Sequence, residues 1–240
     1  EYIKMEFFKK IKADLHFNVK TWFLVHPFYF ARRNLYKGFE NYSSKLSGKL
    51  IDIGCGSKPY KKLFNNCNKY IGLEIESDDQ KNDDSDYTYD GKTFPFENES
   101  FDSAICSQVL EHIFEPTIFL NEINRILKKD SLIIMTVPFI WDEHEQPHDY
   151  ARYTSFGLKY VLEKHNFEVL EQVKLCNDLS VIAQIINCHI YKKLYHKKNF
   201  FMKIISLPMF VLFNLLGICL SLFPKNNDMY LDNFILARKR

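Results

Sequence analysis

The run Leu50-Ile51-Asp52-Ile53-Gly54-Cys55-Gly56 constrains this chain more than any other stretch. An apolar strand ends in an acid and then in two glycines one residue apart, a pattern that suits a tight exit from the edge of a sheet. From Lys49 onward, short apolar runs alternate with amphipathic stretches, which points to βα units around a mostly parallel sheet. The spacing predicts strands over 49–53, 69–74, 101–107, 131–137, 168–176 and 234–238, and helices over 60–64, 116–127 and 155–165. Bare backbone at Gly54 and Gly56 lets a ligand approach where a Cβ would stand. A dinucleotide fingerprint needs a third glycine where Pro59 lies, and Asp52 suits an ammonium-bearing ligand better than a phosphate. Taken alone, the run is equally a strand–helix turn with no ligand.

Three further segments carry acids in order. Glu74 ends Tyr70-Ile71-Gly72-Leu73-Glu74, 22 residues after Asp52; Asp90 opens Asp90-Gly91-Lys92-Thr93-Phe94-Pro95-Phe96; and Phe101-Asp102 leads into Gln108-Val109-Leu110-Glu111-His112. Each has a plain reading as a strand-end carboxylate, a turn residue or a helix-start acid. Together, over roughly residues 46–178 and the last strand, they resemble the class I S-adenosylmethionine-dependent methyltransferases, specifically the type 11 group. The resemblance implies a Rossmann-like seven-stranded sheet flanked by helices with its last strand antiparallel, and S-adenosyl-L-methionine as cofactor. It assigns Asp52, Gly54, Cys55 and Gly56 to the methionine-binding turn, Glu74 to both ribose hydroxyls and Asp90 to the adenine amine. Gln108 and Glu111 fall in the segment that walls the methyl donor. Ser57-Lys58-Pro59 departs from the further glycine of many members. Carboxylates without a phosphate cradle suit a cationic sulfonium.

The acceptor side is expected in the segment 138–154, which is dense in histidine, acids and aromatics. His144 and His148 are candidate bases because imidazole titrates near neutrality, and His112 is a third because it follows strand four directly. Glu143, His144, His148 and Asp149 could instead hold a metal, but they form no HExxH pattern and no metal is expected. The plain alternative is an Asp149–Arg152 ion pair fixing the loop, with Tyr153-Thr154-Ser155 capping the next helix.

Charge divides the chain into three. Residues 1–45 carry a net +5, residues 46–178 a net −10 and residues 179–240 a net +7, within a total of 32 basic and 30 acidic side chains. Expected domains are accordingly a helical N-terminal extension at 1–45, which includes Trp22 and Phe23, a methyltransferase domain at 46–178 and 229–240, and a hydrophobic helical insert at 179–228. The uncharged run Ile204–Phe223 is long enough to cross about 30 Å of hydrocarbon. A last strand rejoining the sheet excludes a single crossing, which leaves an interfacial or re-entrant element, a helical hairpin or a subunit contact. Lys192, Lys193, Lys197, Lys198 and Lys225 flank the insert, so its expected partners are an anionic membrane surface or a second copy; nucleic acid is not expected, because the catalytic segment is acidic. Six scattered cysteines and no visible signal peptide suggest a cytoplasmic protein, and the apolar insert with its basic flanks suggests a peripheral place on the inner face of the cell membrane. The expected activity is methyl transfer to a lipid-linked or cell-surface-glycan precursor; the alternatives are a soluble metabolite or tRNA base as acceptor, or a non-catalytic binding or scaffold protein.

Overall fold

The computed structural model describes residues 24–76, 84–196 and 198–240. The helical expectation at Trp22 and Phe23, and the basic residue Lys197, lie outside these residues. Internal packing divides the chain into two units: the described residues up to Tyr36 with Leu175–Leu231, and Lys37–Lys174 with Asp232–Arg240.

The second unit is built on a seven-stranded sheet. Its strands are β1 (Gly48–Ile53), β2 (Cys67–Ile75), β3 (Tyr87–Tyr89), β4 (Phe101–Ser107), β5 (Leu127–Pro138), β6 (Phe167–Leu175) and β7 (Asp232–Lys239), arranged β3-β2-β1-β4-β5-β7-β6. The first five pair in parallel, and β7 runs antiparallel to β5. This is the Rossmann-like seven-stranded sheet, with its last strand antiparallel, that the resemblance implied. Ile51, Ile53, Leu73, Phe101, Ala104, Ile133, Met135 and Ile235 are buried in its core, as expected of strands covered on both faces. Helix α2 (Pro116–Ile126) opens on a proline and buries Phe119, Leu120, Ile123 and Ile126, one stripe at helical spacing. Helix α3 (Ser155–Lys164) is capped by Thr154 Oγ1, which accepts from the Gly157 amide at 3.1 Å. The helix expected over 60–64 is only a single 3-10 turn at Lys61–Leu63, with Pro59 close before it and none of its residues buried.

The first unit joins what the sequence presents as separate additions. Helix α4 (Ser180–Ile190) continues into a wider turn at Tyr191–Tyr195 and packs against the long α5 (Phe200–Leu220). Gln184 on α4 accepts from the amides of Phe30 and Ala31 at 3.1 and 3.2 Å and donates to the Pro27 carbonyl at 2.9 Å. It thereby satisfies the start of helix α1 (Tyr29–Tyr42) from far along the chain. Asn214 on α5 likewise donates to the carbonyls of Leu24 and His26 and accepts from Asn187 at 2.9 Å.

The buried stripe of α5 is Ser206, Phe210, Asn214 and Gly217, whereas Ile204, Ile205, Leu207, Leu212, Leu215 and Leu216 are exposed. A water-facing helix has the opposite arrangement. Gly217 is where this stripe packs closest, because a Cβ there would stand 2.4 Å from the buried Phe30 ring and 2.8 Å from the Ala183 Cβ. Gly217→Ala is expected to destabilise this unit by about 1–3 kcal/mol in denaturant unfolding; an unchanged midpoint would contradict the close packing.

Candidate active site

Register places the glycine turn. Asp52 pairs with Gly72 and Ile53 with Leu73, so the chain leaves β1 level with the end of β2. Gly54 (φ +69°) and Gly56 (φ +48°) lie in the left-handed region. A Cβ on Gly54 would come within 2.3 Å of Val109, while one on Gly56 would meet nothing within 4 Å. The first glycine is therefore needed for packing against the segment after β4, and the second is open.

The amides of this turn are spent internally. Those of Gly54 and Cys55 both donate to the Leu73 carbonyl, at 2.9 and 3.2 Å. That of Gly56 donates to Glu74 Oε2 at 3.0 Å. A phosphate-binding turn keeps such amides for its ligand. This turn instead presents Glu74, a carboxylate at the strand end, beside open backbone. Cys55 contributes backbone only, because its side chain is buried and burial pushes its thiol up to about 12.

Asp52 is buried and accepts from the Tyr70 hydroxyl at 2.5 Å. Burial raises its carboxyl from 3.8 to about 7, against the lowering effect of the Tyr70 bond. Tyr70 stands two residues before Gly72 in the strand predicted over 69–74, and its bond to Asp52 emerges only from the pairing of that strand with β1. Asp86, not anticipated, accepts from the Gly72 amide at 2.7 Å and from Lys58 Nζ at 2.6 Å, which ties down the residues after the turn. Asp90 is exposed and accepts through Oδ1 from the amides of Lys92 and Thr93, both at 2.9 Å, bonds that lower its carboxyl. Gln108 has φ +58° and donates to Thr136 Oγ1 at 3.2 Å.

Past β4 and β5 the chain is stitched together at one residue. The Glu111 carbonyl accepts from the amides of Tyr150 and Ala151, while its carboxyl is fully buried with no hydrogen bond to either oxygen. Burial, reinforced by Asp232, pushes that carboxyl up to about 8. Asp232 begins β7 opposite Pro138, is itself buried, and belongs to this site although the sequence reading left it out. Arg152 grips Asp149 with both terminal nitrogens, at 2.6 and 2.7 Å, and also holds the Asp142 carbonyl at 2.9 Å. Burial works to raise Asp149, but bonds from Arg152 and from the His144 amide outweigh it and hold the carboxyl at about 2. His144 is lowered by burial and by the neighbouring His112, whose ring centroid lies 4.7 Å away. His148 is exposed, and its ring pairs with the Tyr150 hydroxyl at 3.0 Å. A shallow cavity of about 300 Å³ opens among Glu143, Gln146, Pro147 and Asp149.

Residues 51–135 match a family model described as a methyltransferase domain, which bears out the resemblance. An uncharacterised protein of Methanocaldococcus jannaschii is 33% identical over 98 residues, covering 39% of this chain and only 38% of that relative's length. Among solved structures, the [4+2]-cyclase SpnF superposes with a TM-score of 0.59 at 18% identity, over 87% of this chain and 82% of that one. Phosphoethanolamine N-methyltransferase 2 of Haemonchus contortus, solved in complex with S-adenosyl-L-methionine, gives 0.53 at 15% identity, over 86% of this chain and 52% of that one. At these identities both share the fold.

The raised Asp52 has a signature in stability. The folded carboxyl titrates near 7 and the unfolded one near 3.8, so the folded chain holds an extra proton between these values and loses stability as pH rises through them. Asp52→Asn lacks that loss. Its stability relative to the parent is expected to rise by roughly 2 kcal/mol between pH 5 and 8, read from thermal melts of both proteins; a difference that does not change with pH would contradict the assignment.

Proposed function

From a chain whose residues 51–135 match a methyltransferase-domain family model, we infer an S-adenosylmethionine-dependent enzyme that methylates an acceptor at a membrane surface, a lipid-linked or cell-surface-glycan precursor. The observation that carries the catalytic part is the turn at Gly54–Gly56. Its amides are used by Leu73 and Glu74, and its open side at Gly56 lies next to a carboxylate. Such a site suits a ligand with ribose hydroxyls and positive charge and gives no cradle to a pyrophosphate.

When bound, S-adenosylmethionine supplies an electrophilic methyl for in-line displacement. Glu74 would accept from ribose hydroxyls, Asp90 stands in the adenine position of the family, and the segment Gln108–Glu111 walls the donor. On the acceptor side, His112 and His144 face each other beyond β4 and β5, and a lowered imidazole at His144 is ready to take a proton from a hydroxyl. His148 lies on the exposed side of the same loop.

The membrane part rests on α5. The helix has 21 residues with a mean hydropathy of 2.0 over its most apolar window, only 22% of which is buried. Its polar stripe faces inward and its leucines and isoleucines face out, as in helices seated in lipid. The chain leaves the sheet after β6 and returns to it as β7, so α5 fits an element lying in the interface better than one crossing the bilayer. Lys192, Lys193 and Lys203 give the same unit the charge that anionic headgroups attract.

Glu74→Ala is expected to weaken S-adenosylmethionine binding by about tenfold or more in calorimetry, as loss of a charge-assisted hydrogen-bond acceptor implies; unchanged affinity would remove the ribose assignment. The full chain is also expected to sediment with phosphatidylglycerol vesicles, and the triple variant Leu212→Ser, Leu215→Ser, Leu216→Ser to stay in solution. Equal sedimentation of both would refute the membrane role of this face. Self-association of the parent without vesicle binding would assign the face to a second copy.

A further inference from the structure

The fold brings together three ligating side chains that the sequence separates. Glu111 and His112 follow β4, and His144 lies in the loop after β5. One nitrogen or oxygen of each lies within 4.8 Å of the others. The carboxyl of Glu111 is fully buried, and neither of its oxygens has a hydrogen bond. A buried carboxyl left without partners costs about 1–3 kcal/mol or more, a cost that a ligand placed there would remove.

In each imidazole, Nδ1 lies against a neighbouring acceptor. His112 Nδ1 lies 2.6 Å from the His148 carbonyl, which can only accept, so the proton is on Nδ1 and the lone pair on Nε2. That Nε2 is 3.8 Å from Glu111 Oε1. His144 Nδ1 lies against two acceptors, Asp149 Oδ2 at 3.2 Å and the Asp142 carbonyl at 3.3 Å, with the Arg152 Nη2 donor further off at 3.4 Å; pairing with the nearer acceptors leaves the lone pair on Nε2. Anchoring one ring nitrogen to a carbonyl or carboxylate is how ligating histidines are oriented. The guanidinium of Arg152 is engaged by Asp149, by the carbonyls of Trp141, Asp142 and Ala151, and at 3.4 Å by His144 Nδ1. Asp232 adds a second buried carboxyl with an unpartnered oxygen. The surroundings of Glu111 thus hold more potential negative charge than Arg152 balances.

We propose that Glu111, His112 and His144 form a site for one borderline divalent cation, zinc or iron(II), bound by one carboxylate and two imidazole nitrogens with its remaining positions open. Two histidines and a carboxylate are a ligand set suited to such ions. This set differs from the Glu143, His144, His148 and Asp149 grouping that the sequence suggested, because the His148 ring turns to Tyr150 and Asp149 is held by Arg152. A cation here would act on the acceptor as a Lewis acid, lowering the pKa of a bound hydroxyl and taking the place of His144 as base, since the free lone pair of that imidazole would then be held by the cation; this role rests on the methyl-transfer reading. Binding of the cation does not depend on that reading.

The test uses the full chain, stripped with a chelator and titrated with cobalt(II) by visible absorption and with zinc by dye competition. One ion per chain is expected, with cobalt ligand-field bands. Glu111→Gln, His112→Ala and His144→Ala should each weaken binding by about tenfold or more, and His148→Ala should retain it. Circular dichroism reports which variants fold. If Glu111→Gln does not, the two histidine variants, both at partly exposed positions, decide. No saturable binding by the parent protein, or unchanged binding in the folded ligand variants, overturns the proposal. S-adenosylmethionine calorimetry on the same stripped samples separates this outcome from failure of the methyltransferase reading.

Discussion

The Leu73 carbonyl holds the site in shape. By accepting from two successive amides, it folds the chain after β1 back onto the end of β2. Glu74, one residue further on, then takes the third amide of the turn. Parallel pairing sets this geometry: with Asp52 opposite Gly72, the acid ending β1 and the acid ending β2 cannot be moved apart without breaking the register. Gly72 is small for the same reason, since a Cβ there would stand 2.2 Å from the Lys58 side chain and 2.7 Å from Cys55 Sγ. A turn satisfied in this way has a fixed shape before any ligand arrives. It offers carboxylate rather than amide, which is the electrostatic choice for a sulfonium over a phosphate.

The acceptor side is fixed by different means. The backbone of Glu111 is hydrogen-bonded to the loop after β5, and Arg152 gathers that loop around Asp149, so two segments with no regular structure become one wall. Rigid support for loop residues is what a site of defined geometry requires. The unsatisfied atoms of Glu111 and Asp232 are the exception within this otherwise bonded wall.

Much of the fold was legible because its strands are apolar runs with clear ends: 101–107 was placed to the residue, and β1 and β6 to within one residue at either end. Strand β3 was not, since Tyr87-Thr88-Tyr89 is too short and too polar to read as a strand without its partner. The expected helix over 60–64 shrank to one turn. In α5 the sequence showed length and hydropathy but not orientation, because almost every position is apolar and no face stands out; only packing against α4 reveals that Ser206, Asn214 and Gly217 face inward. In the site, Glu74 was readable from the family resemblance, which places an acid at the end of the second strand. The bond from Tyr70 to Asp52 and the meeting of Glu111 with His144 were not, because they join residues on different strands and loops that only the sheet brings together.

The most direct measurement is a calorimetric titration of the purified chain with S-adenosylmethionine and, separately, with ATP, which carries the same adenosine but a triphosphate in place of the sulfonium. Saturable binding of S-adenosylmethionine at one per chain, with no measurable binding of ATP, is the result that the internally bonded turn and its carboxylates predict. Binding of ATP with equal or greater affinity would contradict the account.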